Sequence, residues 1–167
     1  VMYIVTGCAC MPVALKKNLP GLLVTAIDVS EGALNTAVKN AVQQDVQVSF
    51  MRLDFLDENA WNNLDGFDIV ISNPPYVKRS EAASMNKNVL EYEPHLALFV
   101  PDEDALLFYR KIAAFGKTHL SANGTIFLKI NEALGNDVEQ LFNKAGYTTE
   151  LKKDMQGKER MIKAKLN

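Results

Sequence analysis

The amino-acid sequence predicts an α/β fold: a seven-stranded, mostly parallel sheet covered by helices, with an antiparallel hairpin at its C-terminal end. Three observations predict it. Short apolar runs rich in β-branched residues alternate with helix-length segments, as in a parallel sheet with helical crossovers. The run Ile69-Val70-Ile71 is apolar on both faces, as a central parallel strand requires. The last two apolar runs follow a helix without another between them, so they pair with each other.

Met2–Thr6 reads as the first strand and Met11–Asn18 as the helix after it, with Pro12 tolerated in the first turn. Leu22–Ile27 is the second strand. Ser30 caps a helix running to Gln43, where Leu34, Val38 and Val42 recur at helical spacing. Val46–Leu53 is the third strand, Glu58–Asn63 a short helix, and Phe67–Ser72 the fourth strand. Residues 77–101 lack periodicity, and a loop of that length in a compact domain reads as functional, here substrate-facing. Asp102 or Glu103 opens a helix to Leu120, and Asn123-Gly124 turns into the strand Thr125–Ile130. A helix over Leu134–Ala145 ends at Gly146, and the strands Tyr147–Lys152 and Arg160–Ala164 form the hairpin.

With 167 residues the chain fits one domain with a core large enough to fold without staples. Its net charge of −2 and the lack of a Lys/Arg block argue against a large nucleic-acid footprint. Cys8 and Cys10 stand two apart, which suits neither a zinc site nor a stable local disulfide, and both read as packing residues in a reducing compartment. No apolar run approaches the ~20 residues of a membrane helix, and no signal-like leader is visible, so the expected location is the cytoplasm. The abrupt opening in a strand, Met2-Tyr3-Ile4-Val5, reads as a chain whose N-terminal part is missing.

Candidate ligand-binding residues fall at the strand ends. Asp28 closes the second strand 21 residues after Gly7, where an acid accepts hydrogen bonds from ribose hydroxyls in doubly wound folds; the plainer reading is a carboxylate favouring the next helix N-terminus. Asp54 and Phe55 follow the third strand and could offer a carboxylate to an adenine amino group and an aromatic beside its ring, or could be a loop Asp and a core Phe. The loop Val5-Thr6-Gly7-Cys8-Ala9 is where cofactor backbone contacts belong, yet it carries a single glycine.

Asn73-Pro74-Pro75-Tyr76 directly follows the fourth strand. Two prolines fix φ and remove two donors, leaving a rigid site of acceptors. The Asn73 side-chain oxygen and the Pro74 carbonyl can hold both hydrogens of a planar NH2 and turn its lone pair toward an electrophilic methyl. Such a nitrogen is a weak nucleophile, so orientation and stabilisation of its developing positive charge are what a site must supply. Tyr76 would wall the planar group. A bare turn after a strand is the plain alternative. Of the two histidines, His119 falls in a helix and reads as structural, and no catalytic histidine is required.

These residues resemble the HemK/PrmC family of release-factor glutamine methyltransferases over nearly the whole chain. Val24–Ser30 resembles the family's second strand with its ribose-binding acid, and Phe67–Tyr76 its fourth strand and active-site motif. Glu91–Phe99, followed by Asp104-Ala105-Leu106 and Phe108–Lys111, resembles a segment distinctive of this family and absent from DNA amino-methyltransferases sharing the tetrapeptide. Asp154–Arg160 resembles its closing hairpin.

The resemblance implies a Rossmann-like class I methyltransferase using S-adenosylmethionine, no metal, and the glutamine of a Gly-Gly-Gln loop in peptide chain release factors as substrate. It implies that Asn73 to Tyr76 bind the amide, Asp28 the ribose, and Asp54 with Phe55 the adenine side, and that an N-terminal helical domain, absent here, helps hold the release factor. The loop departs from the family pattern of an acid and three glycines: this chain has Tyr3, Val5, Gly7 and Ala9, and Cβ atoms at 5 and 9 would crowd the cofactor or demand dihedrals that Val resists. Lys129 stands where the fifth strand usually has an acid. Two other functions fit the motif: a nucleic-acid amino-methyltransferase acting on adenine N6, cytosine N4 or guanine N2, and a binding domain with a degenerate cofactor loop.

Overall fold

The computed structural model describes residues 1–78, 80 and 99–167. In chain order the elements are β1 (Met2–Ile4), α1 (Cys10–Asn18), β2 (Thr25–Asp28), α2 (Glu31–Gln43), β3 (Ser49–Arg52), a 3-10 turn (Glu58–Asn63) and β4 (Phe67–Ser72). Then come β5 (Val77–Lys78), β6 (Phe99–Val100), α3 (Leu107–His119), β7 (Leu120–Lys129), α4 (Gly135–Lys144), β8 (Tyr147–Lys153) and β9 (Glu159–Leu166). Seven strands form one sheet in the order β3-β2-β1-β4-β7-β9-β8. The first five pair in parallel, and β9 runs against both β7 and β8. Strand order therefore reverses between β1 and β4, where doubly wound sheets open a crevice at the strands' carboxyl ends.

The principal core lies where α3 and α4 cover the sheet. Tyr109, Ile112 and Phe115 of α3 and Val138 and Phe142 of α4 meet Met2, Ile4, Val70, Ile126, Leu128 and Ile162. Tyr147 is buried among them, and its hydroxyl donates to the Ala113 carbonyl at 2.7 Å; burial pushes that phenol up to about 12. The same hydroxyl explains Gly116, a mid-helix glycine that costs about 1 kcal/mol against alanine. A Cβ there would strike the Tyr147 hydroxyl and lie 2.8 Å from Ile126 Cδ1.

A second cluster joins α1 to α2 through Ala9, Val13, Ala37 and Ala41, with Val46 and Phe50 beside it. Here the expected stripe is rotated. Ala37 and Ala41 face inward, whereas Val38 and Val42 are 45% and 75% exposed, because close approach to α1 admits only small side chains. Ser30 caps α2 as expected, its hydroxyl accepting from the Ala33 N–H at 3.2 Å.

Boundaries shift elsewhere. β2 starts at Thr25 rather than Leu22, and Leu23 is 86% exposed. α3 starts at Leu107, since the acids at 102–104 belong to a turn in which the Asp104 N–H donates to Pro101 O. β7 starts at Leu120, and Asn123-Gly124 lies inside it next to an irregularity in the β4 register rather than before it. The terminal hairpin turns at Gly157, at φ +81, with the Asp154 carboxylate accepting from the Gln156 and Lys158 N–H groups at 2.9 and 3.0 Å. The expected loop 77–101 is bounded by β5 and β6, which pair in parallel. Glu91–Leu98, including His95, lie outside the described residues.

Candidate active site

The loop after β1 turns left-handed at every second residue. Val5, Gly7 and Ala9 have φ of 59, 53 and 59°. An L-residue in this region costs roughly 1–2 kcal/mol, and a β-branched one is a genuine outlier. The conformation is one made for three glycines, yet two positions carry a Cβ. It persists because both sides hold it. The Thr6 N–H donates to Ile27 O at 2.9 Å, the Gly7 N–H to Asp28 Oδ2 at 2.8 Å, and Asn40 Nδ2 to Cys8 O at 2.8 Å.

Asp28 is buried, and its other oxygen accepts from the Ser30 N–H at 2.9 Å. It ties the loop to the start of α2, the plainer of its two readings, and a carboxylate with about four acceptor positions keeps two unused. A Cβ built at Gly7 meets nothing within 4 Å, so open space adjoins the loop backbone. Thr6 Oγ1 is the one buried side-chain oxygen or nitrogen without a partner among the described residues.

β4 delivers the motif to this loop. Ser72 lies opposite Ile4 and its hydroxyl donates to the Ile4 carbonyl at 2.8 Å, so the next residues, Asn73 and Val5, leave the sheet side by side. Neighbouring strands stand about 4.8 Å apart. Asn73 is exposed while Pro74 and Pro75 are buried, which leaves the amide free on a fixed backbone. Tyr76 is half-buried and packs against the principal core. Beneath it lies Tyr109, which the sequence reading placed within the block Phe108–Lys111 and gave no role. Its hydroxyl donates to Lys129 O at 3.1 Å, and burial, then the proximity of Tyr76, holds its phenol well above the ordinary range.

The structure decides one open reading and corrects one expectation. Phe55 does not present its ring to the strand edge: it is 4% exposed, stacked on Trp61 at 5.2 Å and edge-on to Phe115 at 5.4 Å, because the Trp61 indole donates to the Phe55 carbonyl and draws the segment inward. Asp54 beside it is exposed, its Oδ1 accepting from the Leu56 N–H at 3.0 Å. Cys8 and Cys10 are exposed rather than packed, and their sulfurs lie 3.1 Å apart. Tyr3, in place of the family's acid, is buried, and burial followed by nearby Cys8 pushes its phenol up, so this position carries no negative charge at neutral pH. Lys129 is exposed at the end of β7. His119 is structural as expected: it stacks on Phe115 at 4.4 Å, with its ring nitrogens bonded to Thr118 and to the Trp61 carbonyl.

The same fold occurs in solved methyltransferases. A methyltransferase from Pyrococcus furiosus superposes with a TM-score of 0.69 at 20% identity, covering 98% of this chain and 73% of that one. The ribosomal protein L11 methylase from Lactobacillus delbrueckii subsp. bulgaricus superposes with a TM-score of 0.69 at 16% identity, covering 99% and 69%. The fold is thus that of the class I methyltransferases, with its seven-stranded sheet and antiparallel terminal hairpin.

The chain belongs to the methyltransferase small domain family, whose model matches residues 1–94. It is 49% identical over 164 residues to the release factor glutamine methyltransferase of Flavobacterium psychrophilum, covering 98% of this chain and 57% of that protein. It is 43% identical over 160 residues to the protein of the same name from Bacteroides thetaiotaomicron, covering 95% and 57%. The chain thus spans little more than half the length of these curated relatives. No described helix is long and apolar enough to cross a membrane.

Proposed function

We propose that this domain transfers a methyl group from S-adenosylmethionine to the side-chain amide nitrogen of a glutamine in peptide chain release factors. The observation that carries it is the exposed Asn73 amide, on a backbone fixed by two buried prolines, emerging beside the loop after β1. The resemblance at Glu91–Phe99 and the names of the relatives supply the substrate class.

The residues present fit the methyl donor. The spare acceptor positions of Asp28 suit ribose hydroxyls, the unpartnered Thr6 hydroxyl suits its amino-acid end, and exposed Asp54 suits the adenine amino group. When bound, the donor supplies an electrophilic sulfonium methyl. Asn73 Oδ1 and the Pro74 carbonyl accept the two amide hydrogens, turn the lone pair toward that methyl, and stabilise the charge that develops on nitrogen. Tyr76, backed by Tyr109, limits the space beside the planar group.

The strained loop makes Val5→Gly informative. Relief of the left-handed valine is offset by about 1 kcal/mol of extra chain entropy and by the loss of a half-buried side chain, so the melting temperature stays nearly constant. Removing the Cβ opens the approach to the backbone, and donor affinity is expected to rise by about five- to tenfold, or ~1–1.4 kcal/mol. Calorimetry with S-adenosylhomocysteine reads this without turnover, and unchanged or weaker binding would refute the crowding.

The function is tested by incubating full-length protein with labelled S-adenosylmethionine and either a release factor or a mixture of RNA and DNA. Label is expected on a release-factor glutamine. Label on nucleic acid alone would identify an amino-methyltransferase of bases, and absence of both label and donor binding a domain that only binds partners.

A further inference from the structure

We propose that Cys8 and Cys10 are an oxidative modification site, closing into a reversible disulfide clip across the left-handed turn at Ala9. Spacing alone argues against a bond, but the backbone between the cysteines changes that. Ala9 has φ 59 and ψ 26, a helix-like turn of left hand. Helical rise and radius place Cα atoms i and i+2 roughly 5.4 Å apart for either hand. Disulfides span about 4.4–6.8 Å between Cα atoms, whereas an extended residue would set them at about 7 Å. The strained turn is therefore what brings the thiols to 3.1 Å, and a bond between them would exclude its extended alternative.

The surroundings hold the backbone and leave the sulfurs accessible. Asn40 Nδ2 fixes the Cys8 carbonyl at 2.8 Å, the Ala9 N–H donates to Thr6 O at 3.0 Å, and the Val13 N–H donates to Ala9 O at 3.0 Å. Approach from 3.1 Å to the bonded distance of about 2.05 Å then needs side-chain rotation rather than backbone movement. Both cysteines are exposed, and Cys10 also lines a cleft of about 320 Å³ between α1 and α2, a route for a small oxidant.

With hydrogen peroxide, one thiolate sulfur attacks a peroxide oxygen, the O–O bond breaks, and hydroxide leaves to give a sulfenic acid. The second sulfur then attacks the first and displaces its hydroxyl group as water. Two thiols and one peroxide become one disulfide and two waters, the sulfurs losing two electrons, and a small dithiol reverses the step. The clip requires only the thiols and the turn, so its formation is read without assaying methyl transfer.

The chain has two cysteines, so an intrachain disulfide can only join these positions. Folded protein is treated with equimolar hydrogen peroxide, blocked with an alkylating reagent, and measured by intact mass and by non-reducing electrophoresis. The expected product is a monomer lacking two hydrogens and taking no alkyl label, restored by dithiothreitol and absent from Cys8→Ser and Cys10→Ser. Disulfide-linked dimers alone, or sulfinic acid forming as fast in wild type as in those variants, would overturn the proposal. The melting temperature of the oxidised form is expected to rise by roughly 2–6 °C, and a fall would show that the bond distorts the turn instead of holding it.

Discussion

Asn73→Ala is expected to reduce methyl transfer by about 10²–10³-fold or more, the loss seen when one preorganised hydrogen-bonding group at a transition state is removed. Because the side chain is exposed and two buried prolines keep the backbone in place, folding stability should change by no more than about 0.5 kcal/mol. Donor affinity should stay within about tenfold, or ~1.4 kcal/mol, since Asp28 and the loop after β1 remain intact. The diagnostic pattern is therefore a collapsed kcat with binding and melting almost unmoved. Single-turnover transfer from labelled donor, beside calorimetry, reads both. Unchanged turnover would refute the role assigned to Asn73.

Phe115→Ala is expected to cost about 3–5 kcal/mol, the range for emptying a buried aromatic site, and to lower the melting temperature by roughly 10 °C. Phe115 is fully buried and touches four rings: Phe55 and Trp61 edge-on at 5.4 and 5.3 Å, Phe67 at 6.4 Å and His119 stacked at 4.4 Å. Such pairs add about 0.5–1.5 kcal/mol each beyond area burial, so collapse around the vacancy recovers little. The effect reaches the site through Phe55, whose neighbour Asp54 loses its anchored position. Phe115→Leu, which refills part of the volume, should recover more than half of the stability. Urea unfolding measures both, and a loss below about 1 kcal/mol for alanine would show that the aromatic cluster is not the keystone of this face.

Much of this was legible from local pattern alone. β4 is bounded where Phe67–Ser72 suggested, because Ile69-Val70-Ile71 is apolar on both faces and two prolines stop the ladder at once. Asn73 and Asp28 fall on one edge because a parallel sheet puts all its carboxyl ends there. Where the reading failed or stayed open, the deciding contact came from far along the chain. Phe55 is core because of Trp61 and Phe115, and the stripe on α2 is rotated because α1 lies against its alanines. Leu22–Val24 looks like strand, yet Leu23 faces solvent, and no local signal separates it from the residues that follow. The paired thiols were illegible for another reason: their approach depends on a compact rather than extended backbone at Ala9, which side-chain patterning does not encode.

The left-handed backbone at Val5 and Ala9 also bears on how this loop could change over generations. Every valine codon becomes a glycine codon by substitution at its second base, and every alanine codon does the same. Both left-handed positions thus stand one point mutation from the residue their dihedrals favour. In a population or a mutagenic library selected for tighter donor binding, the codon for Val5 is where convergent changes to glycine should accumulate, since the Ala9 methyl is buried between α1 and α2.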